Sequence, residues 1–113
     1  MKSLEWRVYL EDMHTGCQDV QDFTSELTMA ELVANKAMLY ATLHALQIIG
    51  EAAGRVPDNV RDQMPEVPWK DIVGLRHVVV HGYAFIDNMA IWNIVQHDVP
   101  ILKYELETFL NAT

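Results

Sequence analysis

The chain lacks the cysteines for a disulfide framework and the apolar runs for a membrane helix. Its 113 residues include one cysteine, Cys17, so no internal disulfide can form. No apolar run approaches the roughly 20 residues that a membrane-spanning helix needs. The N-terminal segment MKSLEWRVYLED carries charges throughout and has no apolar signal-peptide core. These absences favour a cytoplasmic protein without a membrane association, and we expect Cys17 to be a small buried hydrophobe.

Basic side chains are also scarce. Eight Lys and Arg residues stand against sixteen Asp and Glu residues, which gives a formal net charge of -8. Such a balance argues against a general nucleic-acid coat protein. The cations are unevenly spread, because half of them lie within residues 51–82: Arg55, Arg61, Lys70 and Arg76. If the protein binds a phosphate, we expect the site in this stretch.

Hydrophobic periodicity predicts helices along nearly the whole chain. The predicted helices cover residues 4–23, 28–55, 57–63, 69–81, 88–97 and 99–110. Thr28 and Glu31 form a predicted capping box, Gly82 a C-terminal cap, and Asp87 or Asn88 an N-terminal cap. Pro100 is expected to split the last region, with Asp98 capping its second piece. The sequence therefore predicts an all-α fold, an antiparallel bundle of four main helices and a short fifth, forming one domain over residues 1–113.

Small residues form a nearly bare helix surface within residues 48–54 (IIGEAAG). They allow another backbone or a bulky side chain to come close. Two interpretations stay open, namely tight packing inside the bundle, or a close approach near a functional site with Glu51 as its polar member.

Arg76 and His81 are the residues best suited to chemistry. Arginine stays charged and can bind a phosphate through two parallel hydrogen bonds. Histidine titrates near neutrality and can act as a general acid or base. Metal-free RNA cleavage needs both properties. At a spacing of five residues on a straight helix, the two side chains point about 140° apart. They can meet at one phosphate if the helix ends at His81, or if two chains each contribute groups to one site. The plainer alternatives are an ion pair for Arg76 and a helix cap for His81.

A metal or cofactor site is poorly supported. His77 and His81 are spaced i, i+4, as two ligands on a helix can be, but no third ligand can be assigned. The serines lack an adjacent base, and residues 50–54 are helical in context and do not form a phosphate-binding loop. We therefore expect neither a metal nor a cofactor.

Five segments in order along the chain carry a resemblance to a known family. They are LQIIGEAA (46–53), VPWKDI (67–72), RHVVVHGY (76–83), IWNIV (91–95) and DVP (98–100). With them the chain resembles the HepT-like family, a branch of the HEPN superfamily of small helical ribonucleases. The resemblance spans nearly the whole chain.

The resemblance implies a function and assigns residues to it. It implies a HEPN-like homodimer that cuts RNA without a metal, as the toxin of a toxin–antitoxin pair, with Arg76 and His81 as catalytic residues. It also implies that a nucleotidyltransferase antitoxin transfers AMP from ATP onto Tyr83. His77 departs from the asparagine that many members carry there, and we assign His77, like Glu51, at most a supporting role. The alternative is a non-catalytic nucleotide- or partner-binding subunit of a nucleotidyltransferase system.

Overall fold

All regular structure in the described part of the chain is helical. The computed structural model describes residues 5–77 and 87–113, and no strand occurs among them. The helices are α1 (Glu5–Thr24), α2 (Met29–Ala34), α3 (Lys36–Ala53), α4 (Asp58–Arg61), α5 (Trp69–Val73), α6 (Asn88–Asn93), a π-helical turn (Ile94–Asp98) and α7 (Val99–Ala112). Residues 75–77 are also helical. The predicted all-α bundle is confirmed.

α1 lies between α3 and α7 and is antiparallel to both. Its residue Gly16 sits so close to α3 that a Cβ there would lie 2.6 Å from Ile49 Cγ1. On its other side, Arg7 near the start of α1 donates to the Leu110 carbonyl, and His14 further along contacts Glu107, which comes earlier in α7. Apolar side chains of the three helices meet in one core, whose fully buried members include Leu10, Met13, Cys17, Leu46, Ile49 and Leu106.

The second helical region begins as predicted but is interrupted. Thr28 and Glu31 form the capping box, with hydrogen bonds of 3.2 and 2.9 Å. The predicted continuous helix over 28–55 is wrong, because Asn35 has extended backbone angles and ends α2. Its side chain then caps α3 by accepting from the Met38 N–H at 3.0 Å. A short amide side chain can replace a backbone acceptor in this way, which favours asparagine at helix ends over helix interiors.

The prediction for the C-terminal region is partly confirmed: α7 begins at Val99 with Pro100 in its first turn, but no break separates it from the helical turns before it. Asp87 caps α6 by accepting from the Ala90 N–H at 3.0 Å, as expected. After α6 the chain stays helical, and the turn over Ile94–Asp98 widens so that the Val99 N–H donates to the Ile94 carbonyl. Pro100 has no N–H of its own, and a single π-turn accommodates it without a break. Asp98 has helical backbone angles and makes no capping hydrogen bond, so its predicted capping role is wrong.

The segment between α3 and α6 positions the candidate site. α4 is shorter than predicted, and Pro57 is its N-cap and lies before its first turn. α5 begins at Trp69 as expected, and Gly74 follows it in a turn. The predicted helix to His81 and its cap at Gly82 extend beyond the described residues. Within the described ranges, no helix is both long and apolar enough to cross a membrane.

Candidate active site

Arg76 is held at a backbone-to-backbone contact between the residue 69–77 segment and α3. Gly50 of α3 faces that segment, and a Cβ built on it would lie 2.6 Å from the Arg76 nitrogen. The same Cβ would lie 3.2 Å from the Ile72 carbonyl oxygen and 3.2 Å from the Leu75 carbonyl carbon. Only a residue without a side chain fits here. The small-residue surface of α3 therefore packs tightly against the backbone that carries Arg76. That a functional site lies at this contact stays a prediction.

The guanidinium of Arg76 extends over the C-terminal end of α3. A Cβ on Gly54, the C-cap of α3, would lie 3.8 Å from Arg76 Nη1. The last carbonyls of a helix carry partial negative charge, which favours a cation at this place. Arg76 is exposed, and no described carboxylate forms an ion pair with it. Its hydrogen-bond donors are therefore available to an anion from solution.

Two further cations within residues 51–82 are also exposed and without a described carboxylate partner. Arg55 directly follows Gly54, and Lys70 lies on α5, the helix just before Arg76. Both are exposed, and among residues 5–77 and 87–113 neither has a carboxylate partner. By contrast, Arg7 pairs with Glu11 and Lys103 with Glu107 on other helices. Three of the described cations without a carboxylate partner, Arg55, Lys70 and Arg76, therefore lie in one stretch of the sequence, and a fourth, Lys36, lies at the start of α3.

Arg61, the fourth cation of the stretch, has a structural role. It donates from Nε to the Val56 carbonyl at 3.0 Å and from Nη2 to the Ala53 carbonyl at 2.9 Å. Its guanidinium also lies 5.4 Å from the ring centroid of Trp69, which in turn donates to the Met64 carbonyl. Arg61 thereby ties the end of α3 to the start of α5. The sequence analysis grouped Arg61 with the other three cations of this stretch. The feature that could have separated it is the nearby end of a helix, because carbonyl groups at a helix end need hydrogen-bond donors.

The two residues suggested as supporting groups occupy different positions. Glu51 is exposed and accepts a hydrogen bond from Gln47 Nε2 at 3.2 Å. It lines a groove of about 120 Å³ between α1 and α3, together with Tyr9, Asp12 and Arg55. No ion pair joins Glu51 to Arg76 among the described residues. His77 is exposed and directly follows Arg76.

His81 and Tyr83 lie outside the described residues. The meeting of Arg76 with His81, and the place of Tyr83 beside them, therefore stay predictions. The metal alternative at His77 and His81 stays untested for the same reason. Within the part of the chain that the structure describes, no three His, Cys, Asp or Glu side chains are grouped so that they could hold a metal ion.

Two other groups that could carry chemistry are accounted for by packing. Cys17 is buried in the core, and burial raises the pKa of its thiol to about 12, so it is not a nucleophile at neutral pH. His14 Nε2 lies 2.7 Å from Glu107 Oε2 and links α1 to α7. This hydrogen bond is the main cause that lowers the pKa of the Glu107 carboxyl.

Comparison with known proteins gives a consistent result over the whole chain. Residues 13–109 match the family model described as Ribonuclease HepT-like. A protein of Methanocaldococcus jannaschii named "Putative RNase" is 39% identical over 107 residues, which cover 95% of this chain and 98% of that protein. A Thermococcus cleftensis protein named "Probable ribonuclease HepT" is 32% identical over 99 residues, which cover 88% of this chain and 90% of that protein. No solved structure gives a significant match.

Proposed function

The chain belongs to the HepT-like ribonuclease family, and we propose that it is a metal-independent RNA endonuclease acting as the toxin of a toxin–antitoxin pair. The observation that carries the proposal is the position of Arg76. Its exposed guanidinium has no described carboxylate partner and lies over the glycine end of α3, and the exposed cations Arg55 and Lys70 lie in the same stretch of the sequence. An exposed arginine at this place supports phosphate binding by a protein whose net charge is negative.

The proposed reaction is attack of an RNA 2′-hydroxyl on the adjacent phosphate. A base removes the hydroxyl proton, the 2′-oxygen bonds to phosphorus, and the 5′-oxygen leaves with a proton from an acid. Arg76 would bind the phosphate oxygens and stabilise the charge that grows on them in the transition state. His81, whose side chain titrates near neutrality, would carry the proton. The products are a 2′,3′-cyclic phosphate and a 5′-hydroxyl.

A homodimer would supply both proton carriers. One His81 can serve as base or as acid at a given moment, whereas a twofold pair of chains brings two histidines and two arginines to one cleft. Each chain would form one such domain over residues 1–113.

Neutralisation by the antitoxin would act on the same site. We propose that a partner nucleotidyltransferase transfers AMP from ATP to Tyr83, two residues after His81: the tyrosine oxygen bonds to the α-phosphorus, the bond between the α- and β-phosphates breaks, and pyrophosphate leaves. The adduct carries a phosphate that Arg76 would bind in place of the RNA phosphate. Incubation with the partner enzyme and ATP should add the mass of one AMP, and labelling of a Tyr83→Phe protein would exclude Tyr83 as the target.

The central test is RNA cleavage by Arg76 variants in the presence of EDTA. We expect Arg76→Ala to lower cleavage by about a hundredfold or more, as the loss of a transition-state donor does. Arg76→Lys should recover only part of it, because lysine keeps the charge but not the planar two-point contact. His81→Ala should be inactive. The matched control is Lys36→Ala, which removes an exposed cation at the other end of α3.

Circular dichroism should show that all these variants stay folded. Undiminished cleavage in Arg76→Ala and His81→Ala would refute the site, and inhibition of the wild-type protein by EDTA would refute the metal-free mechanism. RNA sequencing of cut ends, after expression with and without the neighbouring gene, would identify the substrate.

The second candidate is a non-catalytic nucleotide- or partner-binding subunit. The net charge of -8 favours it, because an acidic protein repels RNA at long range. It predicts a folded protein that binds the nucleotidyltransferase but yields no cut RNA ends.

A further inference from the structure

An apolar groove with an acidic rim lies between the loop before α5 and the C-terminal helix α7. Its apolar lining comes from Val67, Pro68 and Ile72 on one side and from Ile101 and Leu102 on the other. Ile101 is 61% exposed, although it is a large aliphatic side chain. The groove holds about 240 Å³, which is below the roughly 300–1,000 Å³ of small-molecule pockets and suits side chains of a polypeptide.

The rim of this groove carries three carboxylates. Glu66 precedes α5, Asp98 lies at the π-turn, and Glu105 follows one turn after Ile101 on α7. Within residues 5–77 and 87–113 none of the three forms an ion pair with a lysine or arginine of this chain. An apolar floor surrounded by carboxylates without partners is complementary to an apolar side chain flanked by cations.

We propose that this groove binds a basic amphipathic helix of a partner protein. Two or three aliphatic side chains of that helix would fill the groove, and lysines or arginines beside them would pair with Glu66, Asp98 and Glu105. This is the helix-in-groove mode of recognition, in which anchors repeat at i, i+3 or i+4. RNA is a poor occupant, since the three carboxylates repel phosphates. The proposal does not depend on nuclease activity.

The position of the groove connects its occupant to the segment that carries Arg76. Ile72 contributes its side chain to the groove, and its carbonyl lies in the contact with Gly50 of α3. The residue 69–77 segment therefore lies between the groove and α3. A partner helix bound in the groove would contact the residue 69–77 segment on the side away from α3, and the Arg76 guanidinium would stay exposed to solution.

The test is titration of the full chain with labelled synthetic peptides, followed by fluorescence anisotropy. The probe is a helical peptide of about 15 residues with leucines at i and i+4 and lysines at the flanking positions. Its matched control has glutamates in place of the lysines. We expect saturable binding of the lysine peptide and at least about tenfold weaker binding of the glutamate peptide, with the difference shrinking at high salt.

Protein variants locate the binding. Ile101→Lys and the double variant Glu66→Gln/Glu105→Gln should each weaken binding by about tenfold. Met89→Lys and Glu26→Gln change an exposed apolar side chain and an exposed carboxylate outside the groove, and should stay within about twofold of wild type. If circular dichroism shows that Ile101→Lys unfolds, Ile101→Ala and the double variant replace it.

Three results would overturn the proposal. The first is the absence of saturable binding. The second is a lack of specificity: the lysine and glutamate peptides bind equally, or the control variants lose as much peptide affinity as the groove variants. The third is a smaller particle for the groove variants in analytical ultracentrifugation, which would assign the groove to a second copy of the chain.

Discussion

Gly50→Ala tests whether the contact between α3 and the Arg76 backbone controls both stability and activity. The new Cβ would lie 2.6 Å from the Arg76 nitrogen, a distance that real Cβ atoms essentially never show. Two more backbone atoms, the Ile72 oxygen and the Leu75 carbonyl carbon, would lie at 3.2 Å. Since all three neighbours are main-chain atoms, no rotamer change can relieve the contact. The 69–77 segment must move away from α3.

Two opposing effects set the magnitude. Alanine in a helix interior is favoured over glycine by about 1 kcal/mol. Overpacking of a tight contact costs typically about 1–3 kcal/mol, and contact with backbone on three sides places this substitution at the upper end. We therefore expect a net loss of about 1–2 kcal/mol in the free energy of unfolding. If Arg76 has the proposed catalytic role, its displacement should also lower RNA cleavage per folded molecule by about tenfold, because small misplacements of a catalytic group have large effects.

The assay combines urea unfolding, followed by circular dichroism, with RNA cleavage under conditions in which each variant is folded. Gly54→Ala is the first control, because its Cβ would meet its nearest neighbours at 3.5 Å or more and its backbone is right-handed helical. It should be neutral or more stable by about 0.4–1 kcal/mol. Gly16→Ala is the second control. Its Cβ would meet Ile49 Cγ1 at 2.6 Å in the α1–α3 contact, so it should lower stability but leave cleavage per folded molecule unchanged.

An unchanged or higher stability of Gly50→Ala would refute the packing argument. An equal loss of cleavage in Gly16→Ala and Gly50→Ala would refute the link between this contact and Arg76, because it would show that lower stability alone reduces activity.

Further predictions concern other described contacts. Arg61→Ala should lower the free energy of unfolding by about 2 kcal/mol, through the loss of two hydrogen bonds to carbonyls and the contact with Trp69, whereas Arg55→Ala should stay within about 0.5 kcal/mol. If urea titrations show a similar loss of unfolding free energy for Arg61→Ala and Arg55→Ala, the structural role of Arg61 is contradicted. Cys17 should react with a thiol reagent only after unfolding, since it is buried and its pKa is about 12; rapid native labelling would show otherwise. The folded-state pKa of Glu107 is lowered from 4.5, so its stabilising effect is complete above that pH and is lost as the pH falls below it. Acid titration of Glu107→Gln should show a smaller fall than wild type, and identical curves would contradict this.

The exposed cations Arg55, Lys70 and Arg76 within one stretch of the sequence support RNA binding by a chain that is acidic overall. Elsewhere in the described residues, Arg7 pairs with Glu11 and Lys103 with Glu107, while the net charge of the chain is -8. Short-range contacts with one phosphate then matter more than long-range attraction. Cleavage should accordingly depend on salt less steeply than binding by a protein that contacts many phosphates.

Local sequence signals determined the helical class, the capping box at Thr28, the cap at Asp87 and the burial of Cys17. Each depends on neighbours within one or two helical turns, so spacing alone reveals it. The sequence did not predict the interruption at Asn35 or the π-turn before Pro100. The free-energy difference between a side-chain cap and a continued helical hydrogen bond is small, so the surrounding packing decides between them.

Tertiary structure alone decided what the small residues and the cations do. The sequence showed that Gly50 permits a close approach, but only the packing of α5 on α3 identified the Arg76 backbone as the neighbour. The sequence likewise grouped Arg61 with Arg55 and Lys70, and only the fold gave Arg61 two carbonyls and an indole ring. These contacts join residues that local periodicity does not relate, and they form because buried helix ends must find donors and close-packed helices leave no room for a Cβ.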